Sequence, residues 1–250
     1  MLGIFERRPI HNVGVNDETL RAGIRLLEPL RRYHRYRVEG VEFLPKEGPW
    51  MFVVNHSLAT YDGFLAGLAI YEATGRMPRG LGDDRIFQIP RLRRLAREVG
   101  LVPASPEAGM EMLRSGEILG LAPGGMWESL RPHTERYRVR WEGRLGFARL
   151  ALRAQVPLVL AACPAADEIY DVWPSSVTDR VYQAFHWPVP LGRGLGPTLI
   201  PRPVALTHFF SAPILPPIFD PGREEAQVAE LHGLAVARME RLLSERRGGP

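Results

Sequence analysis

Cysteine is almost missing from this chain. Cys163 stands alone among 250 residues, which excludes an intramolecular disulfide framework and suits a reducing compartment. Lysine is as scarce: Lys46 is the single one, so 31 of the 32 basic residues are arginine. No apolar run approaches the roughly 18 residues of a membrane span. The longest candidates, residues 64–71 and 156–166, are short or broken by Pro157 and Pro164. The opening MLGIFERRPI lacks the continuous apolar core of a signal peptide. These absences predict an intracellular, cytoplasmic chain that does not cross a membrane but is able to sit on one. The chemistry-bearing absences matter too. There is no Gly-x-Ser-x-Gly elbow, and the seven histidines show no His-x3-His pair. Gly192-Arg-Gly-Leu-Gly196 is no dinucleotide fingerprint, because its third glycine comes one position early. A discontinuous metal site stays open.

The rest of the composition is ordinary. Apolar residues make up 45% and charged residues 24%, enough for a sizeable core and too apolar for wholesale disorder. A net charge of +4 is mild, and no lysine-rich arm or aromatic RNA-binding motif accompanies it, so nucleic acid is not expected as a partner. The arginines either mark a surface that prefers phosphate or carboxylate, which guanidinium binds bidentately, or reflect only a codon bias.

Periodicity divides the chain into alternating strands and helices. Leu20, Ile24, Leu27 and Leu30 share one face of a helix over residues 17–35, which Pro29 should kink or divide. Runs 41–44 and 50–54, with a proline-bounded turn between them, suggest a hairpin. Further strands are expected at 99–102, 118–122, 156–162 and 204–209, and helices at 63–73, 91–98, 145–155 and 224–246. Ser105 followed by Pro106 reads as an N-cap and first helical position, opening a helix that ends at Gly116. Strand and helix in alternation point to an α/β fold, a single domain with a mixed, largely parallel central sheet flanked by helices. Residues 1–37 form an N-terminal amphipathic helical segment, and 38–250 the domain proper. Residues 186–203 break the rhythm: prolines and glycines forbid long regular structure, while Trp187, Leu191, Leu195, Leu199 and Ile200 keep the segment greasy. Such a loop is either a binding loop or a cover for the sheet.

The chemistry gathers where strands end. Residues 50–54, WMFVV, run into Asn55-His56 and then, five residues on, Asp62. In open α/β sheets sites lie past the carboxyl ends of strands. A histidine and a carboxylate there have the parts of a general base and its orienting partner. Six residues advance a helix by about 600°, so one helical face does not juxtapose the two, and a strand-to-helix turn has to bring Asp62 back. A structural histidine with a helix-capping aspartate fits the same spacing. A second turn, Pro123-Gly124-Gly125-Met126-Trp127-Glu128, follows residues 118–122, and paired glycines let backbone N–H groups approach an oxyanion or phosphate.

Together these blocks resemble the glycerolipid acyltransferase superfamily, which includes the bacterial lysophosphatidate acyltransferases. Asn55, His56 and Asp62 match its first motif, Arg85-Ile86-Phe87-Gln88-Ile89-Pro90 its middle one, Pro123 to Glu128 its third and Val156-Pro157-Leu158-Val159 its last. Five residues between His56 and Asp62, and Pro-Gly-Gly-x-x-Glu in place of Glu-Gly-Thr-Arg, look more like the diacylglycerol acyltransferase type 2 and phytyl ester synthase branch. The resemblance implies an O-acyltransferase that moves a fatty acyl group from acyl-CoA or acyl-carrier protein, as co-substrate, to a lipid hydroxyl. His56 would be the general base and Asp62 its orienting acid, with no metal and no cofactor required. Asn55, Arg85, Phe87, Gly124, Gly125, Glu128 and Arg131 would bind substrate, with Arg85 or Arg131 able to meet an acceptor phosphate. A lysophospholipid acyltransferase and a non-catalytic lipid-binding protein are the alternatives. Long acyl chains partition into bilayers, so peripheral contact with the inner membrane face is expected, through the 17–35 helix and the 186–203 segment.

Overall fold

The computed structural model describes residues 17–185 and 190–245. A seven-stranded sheet in the order β1-β9-β6-β2-β5-β3-β4 organises the chain. Its members are β1 (Arg37–Glu39), β2 (Trp50–Val54), β3 (Arg79–Gly82), β4 (Leu101–Pro103), β5 (Ile118–Leu121), β6 (Leu158–Ala162) and β9 (Thr207–Phe210). β2 runs parallel to both β5 and β6, and β3 parallel to β5 and β4; β9 is antiparallel to β6 and carries β1 parallel to itself. The sheet is therefore mixed and mostly parallel, with helices on both faces.

β2 lies at the centre, and all five of its residues are buried. A strand covered on both faces reads as an unbroken apolar run rather than an alternating one. Its odd and even positions serve different cores. Met51 and Val53 join Leu119, Leu158 and Leu160 beneath α7 (Gly146–Ala154) and α9 (Glu224–Glu245). Trp50, Phe52 and Val54 join Ile118 and Val159 beneath α2 (Tyr61–Thr74). Gly120 of β5 is required by this packing, because a Cβ there would overlap the Phe52 ring.

Three elements differ from the simplest reading of the sequence. Residues 41–44 form no strand: Val41–Phe43 is a single 3₁₀ turn, and β2 pairs in parallel with distant strands, so there is no hairpin. Short apolar runs do not reveal their partner, and burial of both faces of β2 selected long-range pairing. Pro29 does not divide its helix, since α1 (Asp17–Tyr33) runs through it as one element. Ile24, Leu27 and Leu30 of that helix are half-buried, and Leu27 packs with Leu65 and Leu206; the Leu20 side chain lies outside the described residues. β3 was not expected at all, because Arg-Gly-Leu-Gly has little strand propensity.

The remaining helices are α3 (Asp84–Gln88), α4 (Pro90–Glu98), α5 (Pro106–Arg114), α6 (Gly125–Ser129) and α8 (Ser176–Phe185). The Ser105 hydroxyl accepts from Ala108 N at 3.0 Å and caps α5. In the greasy segment, residues 186–189 lie outside the described residues. Beyond them β8 (Gly192–Arg193) pairs antiparallel with β7 (Asp171–Val172). Arg136 and Arg202 both close on the Asp171 carboxylate and fasten this flap to the body. Among the described residues no helix is long and apolar enough to cross a membrane.

Candidate active site

The connections leave β2 on one side toward β3 and return through β5, while β6 lies on its other side, so β2 is where the winding switches direction. Crevices at such points, outside the carboxyl ends of the strands, are where α/β sheets hold ligands. Residues following β2, β5 and β6 meet there around a cleft lined by Ser57, Glu128, Arg131, His133, Asp167 and Tyr170, among others.

Asn55 follows β2 directly and is buried. Its Oδ1 accepts from Cys163 N at 2.8 Å and its Nδ2 donates to Cys163 O at 3.4 Å. The amide thus staples the end of β2 to the end of β6, and both of its polar atoms are engaged. Its place is beside the histidine, not facing the cleft. His56 comes next, partly exposed. Burial, aided by the neighbouring Arg131 guanidinium, lowers its imidazole to about 4. The ring is therefore neutral at ordinary pH and able to accept a proton.

Asp62 lies in the first turn of α2, wholly buried. Its Oδ1 accepts from the Ser57 hydroxyl at 3.3 Å, while Oδ2 has no hydrogen-bond partner. Burial pushes this carboxyl up to about 7 against the opposing Ser57 bond, and Asp167 adds to the rise. The turn between the two residues is tight. Thr60 takes φ +51°, a left-handed conformation that is unfavourable for a β-branched residue. Tyr61 anchors it, its hydroxyl lying 2.7 Å from His34 Nε2. The strand-to-helix return required by the spacing is thus present, but no hydrogen bond joins the His56 ring to Asp62.

The Pro123–Glu128 turn does something other than the sequence suggests. Gly125 takes φ +53°, and its N–H donates to Ala122 O at 3.0 Å, so that donor is engaged. A Cβ on Gly124 would collide with Glu128, so this glycine makes room for the Glu128 carboxylate to fold back. That carboxylate is completely buried and accepts from His56 N at 3.1 Å, Trp141 Nε1 at 3.0 Å and Arg140 N at 3.3 Å. Burial draws it up to about 7 while Arg131 and these donors pull it down. Glu128 is a clamp that fixes the backbone of His56.

Arg131 is also committed. It donates to Glu128 Oε1 at 3.3 Å, to His56 O at 3.5 Å and to Asp167 Oδ1, with its side chain only 3% exposed. Phe87 of α3 is buried against the Gly82 end of β3, apart from the cleft lining. The Arg85 side chain lies outside the described residues. Asp167, Trp141, Ser57 and Tyr61 were not singled out by sequence reasoning. Asp167 and Trp141 sit 111 and 85 positions after His56 with no spacing signal, although Ser57 and Tyr61 fall inside the first motif. Among the described residues no cluster of His, Cys, Asp and Glu is able to hold a metal ion.

Comparison with known proteins gives the family and the fold. The chain is 33% identical over 127 residues to a Bos taurus protein called DGAT1/2-independent enzyme synthesizing storage lipids, covering 51% of this chain and 38% of that one. The Homo sapiens protein of the same name matches at 33%, with 39% of its length covered. An uncharacterized protein of Mycobacterium tuberculosis is 30% identical over 200 residues, 76% of this chain and 56% of its own length. The chain thus spans between 38% and 56% of the length of these curated relatives. Among solved structures, the 1-acyl-sn-glycerophosphate acyltransferase PlsC from Thermotoga maritima shares the fold, with a TM-score of 0.53 at 15% identity over 91% of this chain and 83% of that one. A sequence model of the acyltransferases matches residues 35–163, a stretch that holds His56, Asp62 and the Glu128 clamp, and the chain belongs to that Acyltransferase family.

Proposed function

We propose that the chain catalyses direct acyl transfer from a thioester, acyl-CoA or acyl-carrier protein, to the hydroxyl of a lipid. The observation that carries this reading is the placement, within one strand-to-helix turn, of a neutral His56 at the end of β2 and a buried Asp62 whose Oδ2 has no hydrogen-bond partner. An unpartnered buried acceptor is costly and calls for an explanation. Here the explanation is an imidazolium that forms only during reaction. His56 takes the acceptor's hydroxyl proton as the oxygen attacks the thioester carbonyl. The tetrahedral intermediate expels the thiolate, which receives the proton back from His56. Asp62 holds the ring and stabilises its charged form. In the Pro123–Glu128 turn the Gly124 N–H remains the backbone donor for the oxyanion, a contact worth roughly 3–4 kcal/mol. No acyl-enzyme is required.

The acceptor in this proposal is a neutral lipid alcohol. The engagement of Arg131 by Glu128 and Asp167 supports this reading, and the similarity to proteins named for storage-lipid synthesis points the same way. A lysophospholipid acceptor would need Arg85 to serve instead. A lipid-binding protein without catalysis needs neither His56 nor Asp62. The protein works peripherally on the inner face of a membrane. Leu26 of α1 is exposed, as are Leu191, Leu195, Leu199 and Ile200, and Tyr33 Oη donates to Pro201 O at 2.5 Å, joining helix and loop into one surface.

The test is thiol release from a long-chain acyl-CoA, with mass spectrometry of products over diacylglycerol, a long-chain alcohol, lysophosphatidate and no acceptor. Acceptor-dependent release that vanishes in His56→Ala is expected, with diacylglycerol or the alcohol productive. Turnover retained in His56→Ala sinks the general-base assignment, and turnover with lysophosphatidate alone replaces the acceptor. Vesicle flotation tests the docking: protein left in the soluble fraction with anionic lipid excludes it.

A further inference from the structure

We infer that α4 is a second membrane-contact element, an interfacial helix that lays Ile89, Leu92 and Leu95 into the surface of an anionic bilayer. The inference rests on the lipid-substrate reading above and specifies how the molecule stands on the membrane.

α4 buries Ala96 alone. Most helical stability in proteins comes from packing an apolar face, yet here that face is largely bare. Leu92 and Leu95 are 41% and 56% exposed, and Ile89 at the N-cap is 44% exposed. At 100° per residue, Ile89, Leu92, Leu95, Ala96 and Val99 fall within one arc of about 120°. Ala96 and the half-buried Val99 hold this stripe to the body, and the leucines overhang it. Arg91 and Arg93 stand on either side of the arc, with Arg94 and Arg97 behind it. Against these four arginines the helix carries a single acid, Glu98, which receives Arg94 Nε at 2.8 Å. An apolar strip edged by arginines on both sides matches an anionic lipid surface: leucines enter the acyl boundary, and guanidinium groups reach headgroup phosphates.

Topology places the helix where a bilayer would serve the cleft. β2, β3 and β5 are parallel, so His56, α3 and the Pro123–Glu128 turn all leave from the same end of the sheet. α4 starts at that end, and its Cα–Cβ bonds tilt back toward it. β9 runs antiparallel to β6, so the chain entering β9 and the α1–β1 junction stand at that end too, but on the opposite edge of the sheet. The Leu195–Ile200 surface and α4 therefore straddle the cleft. A bilayer that touches both covers the carboxyl end of the sheet and brings lipid hydroxyls to His56.

The experiment uses the full chain. Cys163 is buried, so Leu92→Cys offers one reactive thiol for an environment-sensitive dye, and Leu234→Cys on α9 serves as the comparison site. Vesicles of phosphatidylcholine alone and with phosphatidylglycerol are added, and flotation is run in parallel. Emission at position 92 is expected to shift to shorter wavelength with the anionic vesicles, and emission at position 234 to stay put. Arg91→Gln, Arg93→Gln and Arg97→Gln are each expected to weaken partitioning into anionic vesicles about fivefold while leaving turnover of a detergent-dispersed acceptor unchanged. Flotation without a shift at position 92 overturns the α4 contact and leaves docking by the other edge standing. No flotation overturns both. A shift at position 92 in a protein that transfers no acyl group supports the contact and removes the catalytic reading.

Discussion

Asp62 is an acid held against its ordinary chemistry, and this has consequences for both rate and stability. His56 stays neutral down to about 4, while Asp62 keeps its proton up to about 7. If the active form needs a neutral imidazole beside an ionised carboxylate, the acid limb of kcat/KM belongs to Asp62. Activity is expected to fall as pH drops through about 7, not at the 6.5 of a free histidine. A pH–rate profile of wild type against Asp62→Asn checks this: the variant loses the limb and roughly 10³–10⁴ in kcat. An unshifted limb in the variant would assign it to another group. Stability moves the opposite way. A carboxyl whose folded value is raised binds more protons folded than unfolded between about 4 and 7, so its contribution declines as pH rises through that window. At ~1.4 kcal/mol per unit, Asp62→Asn gains up to roughly 4 kcal/mol over wild type above pH 7 and little at pH 4. Urea midpoints at the two pH values measure it.

At the scale of elements, the site depends on caps and close approaches. The Pro123–Glu128 turn works by what it leaves out. Gly124→Ala pushes a methyl into Glu128, displacing the carboxylate that holds His56 N and Trp141 Nε1. We expect a loss of about 1–3 kcal/mol in stability together with a fall in kcat, read by urea melts and turnover. Ser105→Ala removes the α5 cap, which is not part of the cleft lining, and is expected to cost ~1 kcal/mol with kcat unchanged. The contrast separates a turn that serves chemistry from a cap that serves the helix.

The whole molecule is organised about β2, which belongs to two cores at once. Because His56 is carried at its end, damage to the sheet centre should reach the site through stability and not through geometry. Leu160 of β6, fully buried beside Val53 and packed beneath α9, tests this. Leu160→Ala is expected to lose 2–5 kcal/mol while the folded fraction keeps its acceptor preference. A changed preference at unchanged stability would show that the core shapes the cleft directly.

The sequence by itself determined the alternation of strands and helices, the cap at Ser105 and the positions of His56, Asp62 and Glu128, since each is a local pattern of apolar spacing, turn residues or motif order. It did not determine what those residues touch. Arg131 is held by Glu128 and Asp167, and Asn55 by Cys163, contacts that no local pattern announces. The parallel pairing of β2, the strand made from Arg79–Gly82 and the bare face of α4 were likewise settled only by tertiary structure. Burial and long-range pairing join residues a hundred positions apart, and no pattern within one window of sequence encodes that distance.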